Sequence, residues 1–527
     1  MRTIFVIAIL MLSVSTFAET SVFDETVVER KNWEPAIPRP QQENIATTKL
    51  KNLEQKHGKK PNILIFLVDD MGWGDPGVYG GGTTIGAPTP NIDKLALEGL
   101  RLTSMYSQPT CTSSRAAMMT GRLPIRSGLI RPILTGDKVS KNPWKIEVSQ
   151  AKLLSKAGYS TALIGKWHVG EAEGMLPHEV GFDYFFGLPS VQSDYTQFMV
   201  ERQYSDMINN PGLASMAFKL RPEGLIKGKK GGQREVGYPM KTVDDIAMID
   251  QVLKDESIKF LEQSIDADKP FFLVHAFSKI HNDNYVAPQY KGASPAAMPV
   301  RDATVEVDAI TGEIVALLEE KGVLEDTFIF FTSDNGANED TWPDSGYHPW
   351  RGGKGTTWEG GVRVPGIAYW KGTIEPGQVN NGLMDLTDLY MTSLRLGGVL
   401  DELPENLYYD GIDQTAFLLA KDGQSRRQVV YMWSRGDFCA LRWRDYKVHV
   451  KVFDTPDVRR NIDASFLQDI GTSPWVFNLN MDPKEMSSSG HQYFEWGLPQ
   501  VNKFMQSHFG TMKKYPNTNI GLGLAID

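Results

Sequence analysis

The chain has 527 residues, a formal net charge of −9 and 41% hydrophobic residues. That length suits a large α/β domain with a smaller companion, and an acidic balance without a long basic block excludes nucleic acid as the expected partner. Only two cysteines, Cys111 and Cys439, are present, which excludes a disulfide framework.

The chain opens with Met1-Arg2-Thr3, an apolar run from Ile4 to Val14, and Thr16-Phe17-Ala18. The run is too short to span a bilayer and reads as a secretory signal cleaved after Ala18, which places the mature protein in a periplasm or outside the cell. No later segment is long and apolar enough for a membrane span. Residues 19–60 are polar, with Pro35, Pro38, Pro40 and a basic cluster from Lys56 to Lys60. They are expected to form an extended arm.

From Pro61 the pattern becomes regular. Ile63 to Val68 is a continuous apolar run, as in a parallel strand buried on both faces, and it ends in Asp69-Asp70-Met71-Gly72. Thr161 to Ile164 runs into Gly165-Lys166-Trp167-His168. Phe271 to Val274 leads to Lys279-Ile280-His281, and Phe328 to Phe331 ends in Ser333-Asp334-Asn335-Gly336. Helical patterns over Asn91–Glu98, Ser149–Ala157, Val243–Gln263 and Val305–Glu320 alternate with these strands. The alternation predicts a large doubly wound, mixed or parallel α/β sheet flanked by helices, with ligands beyond the carboxyl ends of its strands.

Residues 190–238 interrupt this rhythm. Lys227-Gly228-Lys229-Lys230-Gly231-Gly232 reads as a solvated loop; the alternative is a cationic rim for polyanionic substrates. Past residue 425, short strands over Val429–Trp433, Ala440–Trp443 and Tyr446–Val452, with a helix over Val501–Lys514, predict a small antiparallel sheet carrying a helix. The expected division is a signal peptide, 1–18, an arm, 19–60, a catalytic α/β domain, 61–425, and a small C-terminal α+β domain, 426–527.

The most informative stretch is Cys111-Thr112-Ser113-Ser114-Arg115-Ala116-Ala117-Met118-Met119-Thr120-Gly121-Arg122. It places a cysteine ahead of a short helix capped by Thr112 or Ser113 and closed by Gly121. The positive end of that helix and Arg115 favour an anion beside Cys111. A lone cysteine also reads as a small buried hydrophobe.

Asp69, Asp70, Asp334 and Asn335 offer only oxygen donors, and converging carboxylates repel unless a cation sits among them. Hard oxygen donors favour Ca²⁺ or Mg²⁺ over zinc, although each of these exits also reads as a turn. The candidate cationic set is Arg115, Lys166, His168, His281 and Lys354, the last in the glycine-rich run Arg351 to Pro365. One divalent cation against the three aspartates leaves about −1, which Arg115, Lys166 and Lys354 outweigh, so the cavity suits a tetrahedral oxyanion ester.

The Cys111–Arg122 segment, with Pro61–Gly74, Thr89–Arg122, Gly165–Gly170, Thr332–Gly336 and Gly352–Pro365, resembles the type I sulfatases of the alkaline phosphatase superfamily. The family most often has Pro or Ala where this chain has Ser113. The resemblance implies that a maturation enzyme oxidises Cys111 to formylglycine (3-oxoalanine). It implies one Ca²⁺, in preference to Mg²⁺, held by Asp69, Asp70, Asp334, Asn335 and the modified Cys111. Arg115 and Lys166 would hold the formylglycine and His168 would hydrogen-bond to it. Lys166, His281 and Lys354 would bind substrate, with His281 as the acid for the leaving oxygen and His275 its nearby competitor. The implied substrate is a sulfate monoester, aryl or carbohydrate, attacked by the hydrated formylglycine. The rival readings are a phosphomonoester or phosphodiester hydrolase of the same superfamily, a catalytically silent binder of sulfated glycans, and a cysteine hydrolase using the bare thiolate.

Overall fold

The apolar run after Pro61 becomes strand β1, Asn62–Val68, buried throughout. Ile63, Ile65 and Leu67 enter one core while Leu64, Phe66 and Val68 enter another, the two-sided burial of an interior strand. The computed structural model describes residues 27–133, 142–196, 205, 209–213, 223–341, 343–453, 467–470, 473–488 and 494–517. The signal segment lies outside the described residues. Among those described, no helix is long and apolar enough to cross a membrane.

The other strands of the large sheet are β2 (Leu100–Tyr106), β3 (Ser160–Lys166), β4 (Tyr184–Leu188), β5 (Gly224–Lys229), β6 (Glu235–Pro239), β7 (Phe271–Ala276), β8 (Thr327–Ser333), β9 (Arg363–Tyr369) and β10 (Gln378–Asn380). They lie in the order β10-β2-β9-β8-β1-β7-β3-β4-β5-β6, and Met384–Asp385 also pairs with β2. β8, β1, β7, β3 and β4 are parallel neighbours. β9 runs antiparallel between β8 and β2, and β5 and β6 extend the far edge antiparallel.

Helices cover both faces, as the alternation predicts. On the Ile63 face, α3 (Cys111–Thr120), α4 (Gln150–Lys156) and α7 (Leu386–Leu396) contribute Met118, Leu154 and Leu389. On the Leu64 face, α2 (Pro90–Leu97), α5 (Ile249–Asp266) and α6 (Pro299–Glu320) contribute Leu95, Leu261 and Val307. A four-stranded antiparallel sheet follows, β11 (Val429–Ser434), β12 (Asp437–Trp443), β13 (Tyr446–His449) and β14 (Trp475–Asn478). Helix α8, Leu498–Lys514, packs Val501 and Phe504 with Tyr431 and Trp443 of that sheet.

Four expectations need correction. The arm is not extended: residues 40–57 form helix α1, Pro40–His57, closed by Gly58 at φ 72°. Pro40 occupies the first turn, where a missing N–H is harmless, and Leu50 and Leu53 pack on the core. The pattern over Val243–Gln263 splits into Val243–Ala247 and α5, with Thr242 capping the first by accepting the Asp245 N–H. The run Tyr446–Val452 also splits, and Lys451–Phe453 pairs with Leu467–Asp469.

The Lys/Gly run is the fourth. Lys227 to Lys229 lie in β5, and Lys229 pairs with Tyr184, the first residue of β4. The hairpin tip therefore sits at the amino edge of the parallel strands, opposite the edge that receives ligands. Lys227 pairs with Glu235 at 3.0 Å and Lys230 with Asp183 at 3.4 Å. It is no rim of the site described next.

Candidate active site

The register of the sheet assembles the site. Ser333 lies beside Val68 in the parallel β8–β1 ladder, so Asp334 and Asp69 leave the sheet side by side, and the Asp334 N–H donates to the Val68 carbonyl at 3.1 Å. Asp70 turns back at φ 66°, a left-handed geometry that aspartate tolerates, and its N–H donates to Asp334 Oδ1 at 3.2 Å. Ala276 lies between Leu67 and Gly165, which brings the segments after β3 and β7, carrying Lys166, His168 and His281, to the same edge.

Every site residue singled out from the sequence arrives there. Lys166 Nζ meets Asp69 Oδ2 at 2.6 Å and Lys354 Nζ meets Asp70 Oδ1 at 2.6 Å. Arg115 donates from Nε to Asp334 Oδ2 at 2.8 Å and from Nη1 to the Lys166 carbonyl at 2.6 Å. Asn335 Nδ2 donates to Asp70 Oδ1 at 2.8 Å, and His281 Nε2 lies 3.7 Å from Asp70 Oδ2. Donor atoms of Asp69, Cys111 and Asp334 lie within 4.8 Å of one another, as do those of Asp70, Cys111 and His281.

The fit to a cation rests on what these oxygens lack. Asp69 Oδ1 and Asn335 Oδ1 are buried without a hydrogen-bond partner. Such groups are costly unless something binds them. Carboxylate and amide oxygens crowded in this way suit a hard divalent cation.

Burial and charge set the protonation states. Burial pushes the Asp334 carboxyl up to about 6, reinforced by Asp69 and opposed by Arg115. At Asp70 burial also opposes ionisation, but Lys354, His281 and Lys166 prevail and hold the group below the usual carboxylate range. Burial, then Lys354, lowers His281 to about 3. Burial with Lys166 and Arg115 lowers His168 well below the ordinary imidazole value. Both rings are neutral at pH 7.

Cys111 is the first residue of α3 and is buried. The expected caps are not caps. Thr112 Oγ1 donates to the His168 carbonyl at 2.8 Å and accepts the Ile133 N–H at 3.2 Å. Ser113 Oγ donates to the Leu129 carbonyl at 3.2 Å. Ser113 Oγ also accepts from the Thr110 hydroxyl at 3.1 Å, and neither hydroxyl accepts a first-turn N–H of the helix. Gly121 closes the helix at φ 67° as predicted.

The competition between histidines is resolved by the fold. His275 belongs to β7, where it is buried against Phe66 and Phe277 with Nδ1 at 2.7 Å from Ser257 Oγ. His281 occupies the site. Sequence reasoning missed Lys279, buried between Asp250 at 3.2 Å and Glu306 at 3.3 Å, and Glu359, which accepts from Lys447 at 2.9 Å and from the Tyr106 hydroxyl at 2.8 Å. Glu359 stands inside the glycine-rich run Arg351 to Pro365 and Lys279 two residues before His281, and their partners, Lys447 for the one and Asp250 and Glu306 for the other, are distant in sequence.

Comparison with known proteins gives a consistent result. The Sulfatase family profile matches residues 61–399. The chain is 32% identical to N-acetylgalactosamine-6-sulfatase of Canis lupus familiaris over 479 residues, 86% of either chain. It is 33% identical to human arylsulfatase A over 455 residues, 81% of this chain and 83% of that one. The crystal structure of PsFucS1 sulfatase from Pseudoalteromonas sp. superposes with a TM-score of 0.93 at 78% identity, covering 94% of this chain and 99% of the other. Kinship at this level over most of the chain, added to the signature around Cys111 and the mixed sheet, has one explanation: this chain belongs to the sulfatase family and is a sulfatase enzyme.

Proposed function

We propose that this enzyme hydrolyses sulfate monoesters of sugars, with formylglycine made from Cys111 as its nucleophile and one Ca²⁺, or less readily Mg²⁺, at Asp69, Asp70, Asp334, Asn335 and the modified side chain. The observation that carries the reading is the packing of three carboxylates and the cations Arg115, Lys166 and Lys354 around Cys111. The N-acetylgalactosamine-6-sulfatase relatives support a sulfated sugar as substrate.

When present, formylglycine supplies a hydrated aldehyde, one hydroxyl for attack on sulfur and a second whose ionisation releases sulfate. The bound cation supplies positive charge that eases loss of the attacking proton. Arg115 and Lys166 hold the carboxylates and face the nucleophile. Lys354 draws the anionic ester, and its ammonium offsets charge that grows in the transition state. His281 holds the proton delivered to the departing oxygen; an anionic ester beside it favours the protonated ring that is otherwise disfavoured. His168, neutral, accepts at the nucleophile through Nδ1, which is buried without another partner.

The unmodified thiol is a poor alternative. Burial pushes Cys111 up to about 11 despite Lys166 and Lys354, so little thiolate exists at neutral pH. Mass spectrometry of the tryptic peptide Leu102 to Arg115, from protein made in a maturation-competent host, tests the reading. Exchange of thiol for aldehyde together with sulfate release from an ester supports it. A free thiol in active enzyme, or phosphate esters turned over faster than sulfate esters, overturns it.

A further inference from the structure

Past Ala276, the last residue of β7, the chain stays bonded to β1 and its exit. The Phe277 N–H donates to the Leu67 carbonyl at 2.9 Å, the Asp69 N–H to the Lys279 carbonyl at 3.2 Å, and the Ile280 N–H to the Asp69 carbonyl at 2.9 Å. Lys279 and Ile280 therefore hold Asp69 by both its N–H and its carbonyl. His281 comes next, with Nε2 3.7 Å from Asp70 Oδ2. This pairing fixes how far the segment runs along β1. A single row of hydrogen bonds is also a hinge line, so the tilt of the segment, and with it the place of His281, must be set by something else.

The side chain of Lys279 meets that need. It is completely buried. Its ammonium lies 3.2 Å from Asp250 Oδ2 in α5 and 3.3 Å from Glu306 Oε2 in α6, and it donates to the Ala247 carbonyl at 3.3 Å. Three acceptors match the three N–H bonds of an ammonium, and none of them belongs to the catalytic set. The acceptors are themselves held. Asp250 Oδ1 takes the Ser278 N–H at 2.9 Å, and Glu306 takes Gln251 Nε2 at 2.8 Å and the Ala287 N–H at 3.3 Å. Burying an ammonium is costly, and an apolar side chain of similar length would fill the space without that cost. The charge supplies direction instead, because acceptors fixed on two helices and a helix end admit one position of Lys279.

We propose that Lys279 is a positioning residue: its ion pairs with Asp250 and Glu306 hold the exit of β7 so that His281 stands beside Asp70. The role of His281 as acid for the departing oxygen rests on the sulfatase reading, and Lys279 acts on catalysis only through it.

The test variant, Lys279→Met/Asp250→Asn, removes one charge of each sign and keeps an acceptor for the Ser278 N–H. In matured full-length enzyme, kcat is compared for phenyl sulfate and 4-nitrophenyl sulfate. The ratio of the first to the second is expected to fall about tenfold, because the more basic phenolate depends more on the proton from His281. In a His281→Gln background the same changes should leave the ratio unaltered. Lys254→Ala/Glu313→Ala cuts a 2.7 Å ion pair between the same two helices and should leave it at the wild-type value.

A second readout needs no turnover. The imidazole Cε1–H resonance of His281 is followed by NMR in unmatured protein with isotope-labelled histidine, and is identified by its loss in His281→Gln. It is expected to shift in the test variant and to stay in place in the helix control. An unchanged ratio, an equal fall in the helix control, a further fall in the His281→Gln background or an unmoved resonance overturns the proposal. Where the test variant fails to fold, Asp250→Asn alone weakens the hold on the ammonium and carries the same two readouts. Matured wild-type enzyme that releases no sulfate refutes the sulfatase mechanism, and the resonance still decides whether Lys279 places His281.

Discussion

Thr112 and His168 are joined through a closed ring of hydrogen bonds. Thr112 Oγ1 donates to the His168 carbonyl at 2.8 Å and accepts the Ile133 N–H at 3.2 Å, while His168 Nε2 lies 2.9 Å from the Ile133 carbonyl. A carbonyl can only accept, so the neutral ring carries its proton on Nε2 and Nδ1 keeps its lone pair. His168 holds this pose at φ 57°, and Thr112 directly follows Cys111, so the residue after the proposed nucleophile fixes the orientation of this imidazole.

Removing that hydroxyl while keeping its shape should loosen the ring. Thr112→Val is expected to lower kcat about tenfold with little change in KM, the cost of one misaligned positioning contact, and Thr112→Ser should restore it. Steady-state kinetics normalised to formylglycine content by mass spectrometry check this. Equal kcat per formylglycine in the valine variant would refute the positioning role.

His281 is assigned to protonate the departing oxygen. His281→Gln should therefore cost about 10²–10⁴-fold on a sugar sulfate, whose alkoxide must be protonated. The cost should be far smaller on 4-nitrophenyl sulfate, whose phenolate leaves unaided. Comparing kcat for both esters in one variant decides it, since a merely structural defect would depress them equally.

Cation binding is read from buried oxygens without partners, and a ligand held only by the folded chain raises its stability. EDTA treatment is expected to abolish sulfate release and lower Tm, with Ca²⁺ restoring both. Differential scanning calorimetry of unmatured protein gives the Tm readout without any turnover. An unchanged Tm across a Ca²⁺ titration would count against the site.

Glu34 provides a pH signature remote from catalysis. Burial and Asp410 raise its carboxyl to about 7 against the lowering effect of Arg427 and Arg126, and the Tyr408 hydroxyl donates to it at 3.1 Å. A carboxyl with a raised folded pKa keeps its proton while the unfolded chain loses it. Stability should therefore fall as pH rises from about 4.5 to about 7 and level off above, by up to about 3 kcal/mol. Glu34→Gln should flatten that slope and raise Tm at pH 8. A Tm–pH profile that matches wild type would remove Glu34 from the account.

The chemistry was legible locally. Cys111 with its helix and Gly121, Asp69-Asp70 and Asp334-Asn335 at strand ends, and Lys354 among glycines are short-range patterns. Apolar runs and alternating helices also specified the mixed sheet, because strand burial and helix periodicity are written within a few residues of each site. The choice between His275 and His281 was different. Both are near one strand end, and only the strand's length, with Ala276 as its last residue, buries the first and frees the second. The same holds for α1, whose few buried positions leave little periodic signal, and for the Lys/Gly hairpin, which local sequence cannot assign to an edge of the sheet. Residue types and their nearest neighbours determined the reactive groups. Tertiary structure alone decided which of them meet, because strand order and register join segments far apart in the chain, and no local pattern records the partner.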